Sequence, residues 1–291
     1  MLAKINGSMR QASVDVNGLN IRYLEAGDAL AAAGATDATV KDGGQVLFIH
    51  GLGSSADRWL DIPDALSLPG LHAVSLDLPG FGLSDKPEID YTIGKFVEVV
   101  AEFIRKRGMQ GTSIVGHSLG GYIAAQLAAE HGDLVGRLVL IDSSGMLEGP
   151  TPLLQQYLDA AMNPEKEAVR AVLGQMVADP IRIPEALVDG FIYRMRQAGA
   201  RHAFKSAFDN SVNTQIGIDR LKRIEAPTLI IWGRHDRLIP LEYFRPFQES
   251  ISGSDVVIVE DAGHAPFAEK PAIACELLHK FLTAPKSGAK S

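Results

Sequence analysis

From Gln45 onward, short apolar or β-rich runs alternate with longer stretches in which apolar residues return every three or four positions. The runs are Val46–Ile49, Ala73–Leu76, Thr112–Val115, Leu138–Ile141, Thr228–Trp232 and Asp255–Val259. Such runs, without polar alternation, predict strands covered on both faces. Between them Phe96, Val99, Val100, Phe103 and Ile104 recur at helical spacing up to a stop at Gly108. Further helical patterns cover Tyr122–Glu130, Leu241–Ser250 and Ala272–Leu282. Strands alternating with helices predict an α/β fold, a mostly parallel sheet with helices on both sides. Ahead of it, Ser13–Val16 and Asn20–Glu25 flank Asn17-Gly18, a hairpin signal that adds antiparallel edge strands.

Two stretches break the alternation. Residues 26–44 are rich in Ala, Gly and Asp, carry no period that could bury a face, and read as a long surface loop with Ala29–Ala33 a short helical candidate. Residues 146–217 are punctuated by Pro150, Pro152, Pro164, Pro180 and Pro184, and helical patterns replace strands. The expected organisation is a core formed by residues 1–145 and 218–291, with residues 146–217 inserted as a helical lid. No repeat of fixed period is present.

Composition narrows the classes without changing this picture. A hydrophobic fraction of 46% in 291 residues is ample for a large core. A formal net charge of −7 argues against nucleic acid or an anionic membrane as partner. No apolar run approaches the ~20 residues that span a bilayer. Met1 to Gln11 lacks the apolar segment of a secretory signal. The single cysteine, Cys275, falls in a helical pattern and is expected to pack in the core. A cytoplasmic protein is the expectation, with the oligomeric state open between monomer and homodimer.

The chemistry concentrates where strands end. Gly116-His117-Ser118-Leu119-Gly120 stands between a strand run and a helical run, so this G-x-S-x-G describes a nucleophile elbow. Residues two before and two after the serine must be small, which Gly116 and Gly120 satisfy. The bare pattern would arise by chance in roughly one chain in ten of this length, so partners decide the matter. A serine hydroxyl needs an adjacent base. His264, just beyond the last strand run, is the expected base. His117 is expected to turn away from the serine's side of the elbow. The base needs an acid; Asp236 fits the chain order serine, acid, histidine, with Asp142 as its rival. Two N–H donors, from Leu119 at the helix start and from Leu52 in His50-Gly51-Leu52-Gly53, would form an oxyanion hole, with Gly53 an alternative to Leu52. Gly51, Gly53, His117 and Arg194 complete the candidate substrate-binding set. No metal-binding or dinucleotide-binding motif is present, and no cofactor or metal is expected.

Together H-G-L-G at His50–Gly53, D-L-P-G-F-G-L-S at Asp77–Ser84, G-H-S-L-G-G at Gly116–Gly121, W-G-R-H-D-R-L-I-P at Trp232–Pro240 and G-H-A-P-F at Gly263–Phe267 resemble the α/β-hydrolase superfamily over nearly the whole chain. Dehalogenases and epoxide hydrolases of that superfamily carry aspartate at the elbow, so the resemblance implies acyl transfer to water: an esterase, thioesterase, lactonase or amidase acting on a small acyl substrate. The serine C–C hydrolases of aromatic ring-fission products are the alternative branch. Arg194 lies where that branch keeps a lid arginine, and Trp232–Pro240 is close to its pattern. His117 and Ala265 depart from the Asn and Trp usual there, and Gly263–Phe267 looks like the simple carboxylesterases. Met146, Met162, Met176 and Met195, four of seven methionines, fall in the 146–217 segment and suggest an apolar pocket. Arg194, Arg196, Arg201 and Lys205 form a basic stretch that reads mainly as a solvated face.

Overall fold

A computed structural model describes residues 9–26, 44–61, 72–180 and 183–285. Eight strands form one sheet: β1 (Met9–Val16), β2 (Leu19–Ala26), β3 (Gln45–Ile49), β4 (His72–Leu76), β5 (Thr112–His117), β6 (Val135–Ile141), β7 (Thr228–Gly233) and β8 (Asp255–Val259), in the order β1-β2-β4-β3-β5-β6-β7-β8. The β1–β2 hairpin joins β4 antiparallel, and every pairing from β4 to β8 is parallel. Both strands of the hairpin extend beyond their apolar runs, because Arg10 and Glu25 pair across the ladder and carry it to Met9 and Ala26. The expected loop at 26–44 and its helical candidate lie outside the described residues apart from Ala26, the end of β2, and Gly44.

The strands are apolar on both faces because both faces are covered. Val46 and Phe48 of β3, with Leu229 and Ile231 of β7, face one core; Leu47, Ile49, Ile230 and Trp232 face the other. Helix α1 (Ile93–Lys106) opens where the Thr92 hydroxyl accepts the Lys95 N–H at 3.1 Å. Its buried face carries Phe96, Val99, Val100, Phe103 and Ile104, the residues whose spacing predicted it. Helix α2 (Leu119–Glu130) follows β5 without a linker and is buried from Leu119 to Ala128.

Between β6 and β7 lie α3 (Pro152–Met162), α4 (Lys166–Met176), α5 (Glu185–Met195) and α6 (Ala200–Val212). Tyr157, Phe191 and Phe204 join three of them, with ring centroids 5.2 to 6.4 Å apart. The chain returns through the short α7 (Ile218–Leu221). The single helix expected over Leu241–Ser250 is split into a 3₁₀ turn, Leu241–Phe244, and α8 (Arg245–Ser250). Pro246 sits in the first turn of α8, where its missing N–H costs nothing, and so restarts the helix. The single turn α9 (Pro266–Glu269) and α10 (Pro271–Thr283) complete the second face.

In a parallel sheet the carboxyl ends of the strands share one edge, and there the loops after β3, β4 and β5 are tied together. Asp77 is fully buried, and its carboxylate accepts the N–H groups of Ala56 at 2.6 Å and Leu83 at 2.7 Å while facing the Arg22 guanidinium at 3.4 Å. His50 accepts the Leu78 N–H at Nε2 (3.0 Å), so its Nδ1–H donates to the Gly51 carbonyl at 2.8 Å. Burial pulls the His50 ring below the ordinary histidine value, in keeping with this neutral tautomer. Replacing Asp77 by alanine leaves the buried Ala56 N–H without its acceptor, releases the Leu83 N–H and takes one of two carboxylates from Arg22, which keeps Asp57 at 2.8 Å; Asp77→Ala is expected to lower unfolding stability by about 2–3 kcal/mol, read as a drop in the urea midpoint.

Candidate active site

The turn from β5 into α2 sets the site. The strand stops and the helix starts within one residue, so Ser118 takes both roles at φ 55° and ψ −119°. Only three described non-glycine residues have positive φ: Asn17 in the hairpin, Ser118 and Asp142. A backbone of this kind costs about 1–3 kcal/mol and persists only where its surroundings enforce it. Around Ser118 they do: its N–H donates to the Ile141 carbonyl at 3.0 Å, and its carbonyl accepts from Gly121, Tyr122 and Ser144. A Cβ on Gly116 would collide with the Gly120 carbonyl, and one on Gly120 with the carbonyls of Ile49 and His50, which explains the small residues on either side of the serine. The loop after β3 presses on the elbow: a Cβ on Gly51 would stand 3.0 Å from Ser118 Cβ.

His264 follows β8 and α4 reaches down to meet it, the His264 N–H donating to the Met176 carbonyl at 2.7 Å. Glu269, in α9, accepts the Gly263 N–H at 2.9 Å and the Ala265 N–H at 3.2 Å, and so brackets the histidine on both sides. The same carboxylate takes the Ala178 N–H at 2.8 Å. The His264 Nδ1 lies 2.7 Å from Asp236 Oδ2, while Asp236 Oδ1 accepts the N–H groups of Leu238 and Ile239 at 2.8 and 3.0 Å. With Nδ1–H donated to Asp236, Nε2 is the nitrogen left with its lone pair available.

Asp142 stands behind this pair. It is fully buried at the end of β6, with Oδ1 accepting the Gly233 N–H at 2.8 Å and Oδ2 without a partner among the described residues. One donor atom each from Asp142, Asp236 and His264 falls within 4.8 Å of the others. Of the two expected acids, then, Asp236 is the one bonded to the histidine. Burial first, and the Asp236 carboxylate second, push Asp142 well above the usual carboxylate range. Burial thus favours the protonated form of Asp142, beside the Asp236 carboxylate.

His117 does not turn away, as the elbow alone suggests. Its ring packs 4.8 Å from that of His264 and edge-on to Phe267, and its Nε2–H donates to the His264 carbonyl at 2.7 Å. Burial, then the neighbouring His264, push it well below the usual histidine value, so it is neutral. Residues 264–267 thus pin the ring of His117, a contact 147 positions apart that no local pattern reveals.

Ser118, Leu119, His117, His264, Gly51, Leu52, Gly53 and Arg194 all line one cavity of about 100 Å³ beneath α3 to α6. The backbone hydrogen bonds of the described loops do not engage the N–H groups of Leu52, Gly53 or Leu119. The apolar wall is leucine and isoleucine rather than methionine: Leu147, Leu154, Leu173, Ile183, Leu187 and Ile239 line it, and of the four methionines only Met176 does. Met146 and Met195 pack in the core instead. In the basic stretch, Arg196, Arg201 and Lys205 are exposed, whereas Arg194 turns inward. Burial pulls the Arg194 guanidinium below its ordinary value, though arginine remains charged there.

Fold and cavity together define the class. The family model described as alpha/beta hydrolase fold matches residues 44–271, and the chain belongs to that family. The solved structure of a membrane phospholipase A, a bacterial virulence factor, is 31% identical, with a TM-score of 0.78 over 94% of this chain and 86% of that one. Monoacylglycerol lipase abhd6-A of Xenopus laevis is 27% identical over 83% of this chain and 76% of its own length. A 2-hydroxy-6-oxo-6-(2'-aminophenyl)hexa-2,4-dienoic acid hydrolase of Metapseudomonas resinovorans is 25% identical over 89% and 86%.

A neutral Asp142 and a bonded Asp236 respond differently to amidation. Asp142→Asn retains a donor toward Asp236 and is expected to cost less than about tenfold in kcat, whereas Asp236→Asn is expected to cost on the order of 10⁴. The raised value also sets a sign. Stability from burying a neutral Asp142 is complete below the unfolded value of 3.8 and is lost as pH rises through the folded value. Asp142→Asn should therefore flatten the decline of stability between acid and neutral pH, measured as urea midpoints at several pH values.

Proposed function

We propose that this chain is a serine hydrolase that cleaves a carboxylic ester through an acyl-enzyme. The observation that carries the reading is the 2.7 Å bond from His264 Nδ1 to Asp236, which leaves Nε2 basic in the cavity that also holds the strained Ser118. Ser118 Oγ attacks the ester carbonyl and transfers its proton to His264 Nε2. Asp236 holds the ring and stabilises the imidazolium. The tetrahedral oxyanion is received by the N–H groups of Leu119 and Leu52, the first at the N-terminus of α2. His264 returns the proton to the departing alkoxide as the C–O bond breaks. Water then repeats the sequence on the acyl-enzyme, releasing the acid and restoring Ser118. Residues 146–217 act as the lid, and their leucine-rich wall favours an apolar acyl or alcohol group. The likeness to a lipase and a phospholipase supports an ester as substrate.

A second reading rests on one observation, the inward Arg194. A cation in the cavity suits a substrate carboxylate, as in hydrolysis of a ring-fission diketone by C–C cleavage, and the Metapseudomonas relative supports it. The wall of the cavity, otherwise largely apolar, favours the ester.

A panel of p-nitrophenyl esters, lactones, thioesters and a vinylogous ring-fission diketone separates the two by kcat/KM. An ester is expected to lead, and Ser118→Ala is expected to lower kcat by about 10⁶. Diketone turnover well above every ester, abolished by Arg194→Ala, would establish the second reading instead.

A further inference from the structure

The loop that carries the Leu52 N–H is held from above. Residues 51–54 close a turn through Ser54 N–H to the Gly51 carbonyl at 3.2 Å, with Gly53 at φ +70° in third position, the pattern of a type II turn. In such a turn the central peptide, from the Leu52 carbonyl to the Gly53 N–H, has two orientations that differ by a flip; the flipped one is the type I arrangement. That carbonyl accepts the Tyr157 hydroxyl of α3 at 3.0 Å. The next one, of Gly53, accepts Arg194 Nε of α5 at 3.1 Å. Among the described residues no backbone N–H donates to either carbonyl. A Cβ on Gly53 would stand 2.7 Å from both the Tyr157 hydroxyl and the Phe204 ring, so the aromatic residues of the inserted helices rest directly on this turn.

We infer that Tyr157 and Arg194 are positioning residues which hold the 51–54 turn with the Leu52 carbonyl turned up to the inserted helices and the Gly53 N–H of the same peptide turned the opposite way, so that these helices set the Gly53 side of the oxyanion hole, beside the Leu52 N–H, as well as covering the cavity. The inference rests on the serine-hydrolase reading. The core side of the loop is fixed through His50 and Asp77, but these grip its flanks, residues 50, 51 and 56. Among the described residues no strand N–H donates to the carbonyls of residues 52 and 53. When the helices lift, the central peptide is free to flip, exchanging the directions of the Leu52 carbonyl and the Gly53 N–H beside the Leu52 donor; when they settle, the two hydrogen bonds restore it. Burial pushes the Tyr157 phenol well above its ordinary value, so the hydroxyl remains a donor throughout the neutral range. Arg194 is thereby engaged through Nε with the backbone, which leaves its terminal nitrogens as the part that can meet a ligand.

Tyr157→Phe removes the hydroxyl and keeps the ring among Phe191 and Phe204. Removing one oxyanion donor outright costs about 10²–10³ in kcat. Loosening the 52–53 peptide, next to the Leu52 donor, is expected to cost about 10- to 100-fold in kcat on a p-nitrophenyl ester, with KM changed less than about threefold. Affinity for a trifluoromethyl ketone, which forms a tetrahedral adduct on the serine, should fall by the same factor, while affinity for the product acid stays constant. A merely structural role would lower the unfolding midpoint or move both affinities together. Arg194→Met should give the same kcat-weighted signature. Wild-type kcat and ketone affinity in Tyr157→Phe, or losses confined to KM in both variants, would overturn the inference. Failure of the wild-type protein to hydrolyse any ester or bind the ketone would instead overturn the reading beneath it.

Discussion

The constraint on which the site depends is the absence of a linker between β5 and α2. A strand that passes into a helix within one residue leaves that residue no ordinary backbone region. Ser118 therefore sits at φ 55° and ψ −119°, held by the Ile141 carbonyl on one side and the Gly121, Tyr122 and Ser144 N–H groups on the other. Because the neighbours are fixed by the parallel ladder, the strain cannot relax by shifting the strand. The same ladder delivers His50, Asp77, Asp142, Asp236 and His264 to one edge, since each follows a strand that runs the same way. Chemistry is gathered there by topology before any side chain is chosen.

What each group does at that edge is decided by its partners and its burial. Asp77 and His50 are buried like the others, but their hydrogen bonds are saturated by loop N–H groups and carbonyls, and they brace loops. Asp236 has one oxygen fixed by two N–H groups and the other turned to His264. Asp142, fully buried beside Asp236, has one N–H on one oxygen and no partner among the described residues on the other, and burial pushes it well above the usual carboxylate range. Two carboxylates a few ångströms apart can share one charge far more easily than carry two. Of the two, Asp236 is the residue that touches the histidine.

Much of this is legible in the sequence because it is local. The elbow is five consecutive residues; the strands and α1 announce themselves by periodicity, and the family of the chain follows from five motifs in order. The parts that were not legible are long-range. His117 is turned toward His264 by a hydrogen bond across 147 positions, and Glu269 brackets the histidine loop from a helix of four residues too short to show a period. Tyr157 reaches Leu52 across 105 positions. The methionines pointed to an apolar cavity of the right kind, but the side chains that form it are mostly leucine and isoleucine, because which face of an inserted helix points down depends on how the helices pack, not on their composition. Pro246 was visible as a residue, yet its effect, a restarted helix after a 3₁₀ turn, depends on where the preceding turn ends.

The central claim is that Ser118 is activated as a nucleophile by His264. Mass-spectrometric mapping of the protein after brief exposure to a fluorophosphonate tests it most directly, since only a serine with a neighbouring base reacts on that timescale. One adduct is expected, located on Ser118, with adduct formation at least about 10²-fold slower in a His264→Ala variant that remains folded. An unlabelled Ser118 in the folded wild-type protein, or labelling at the same rate without His264, would contradict it.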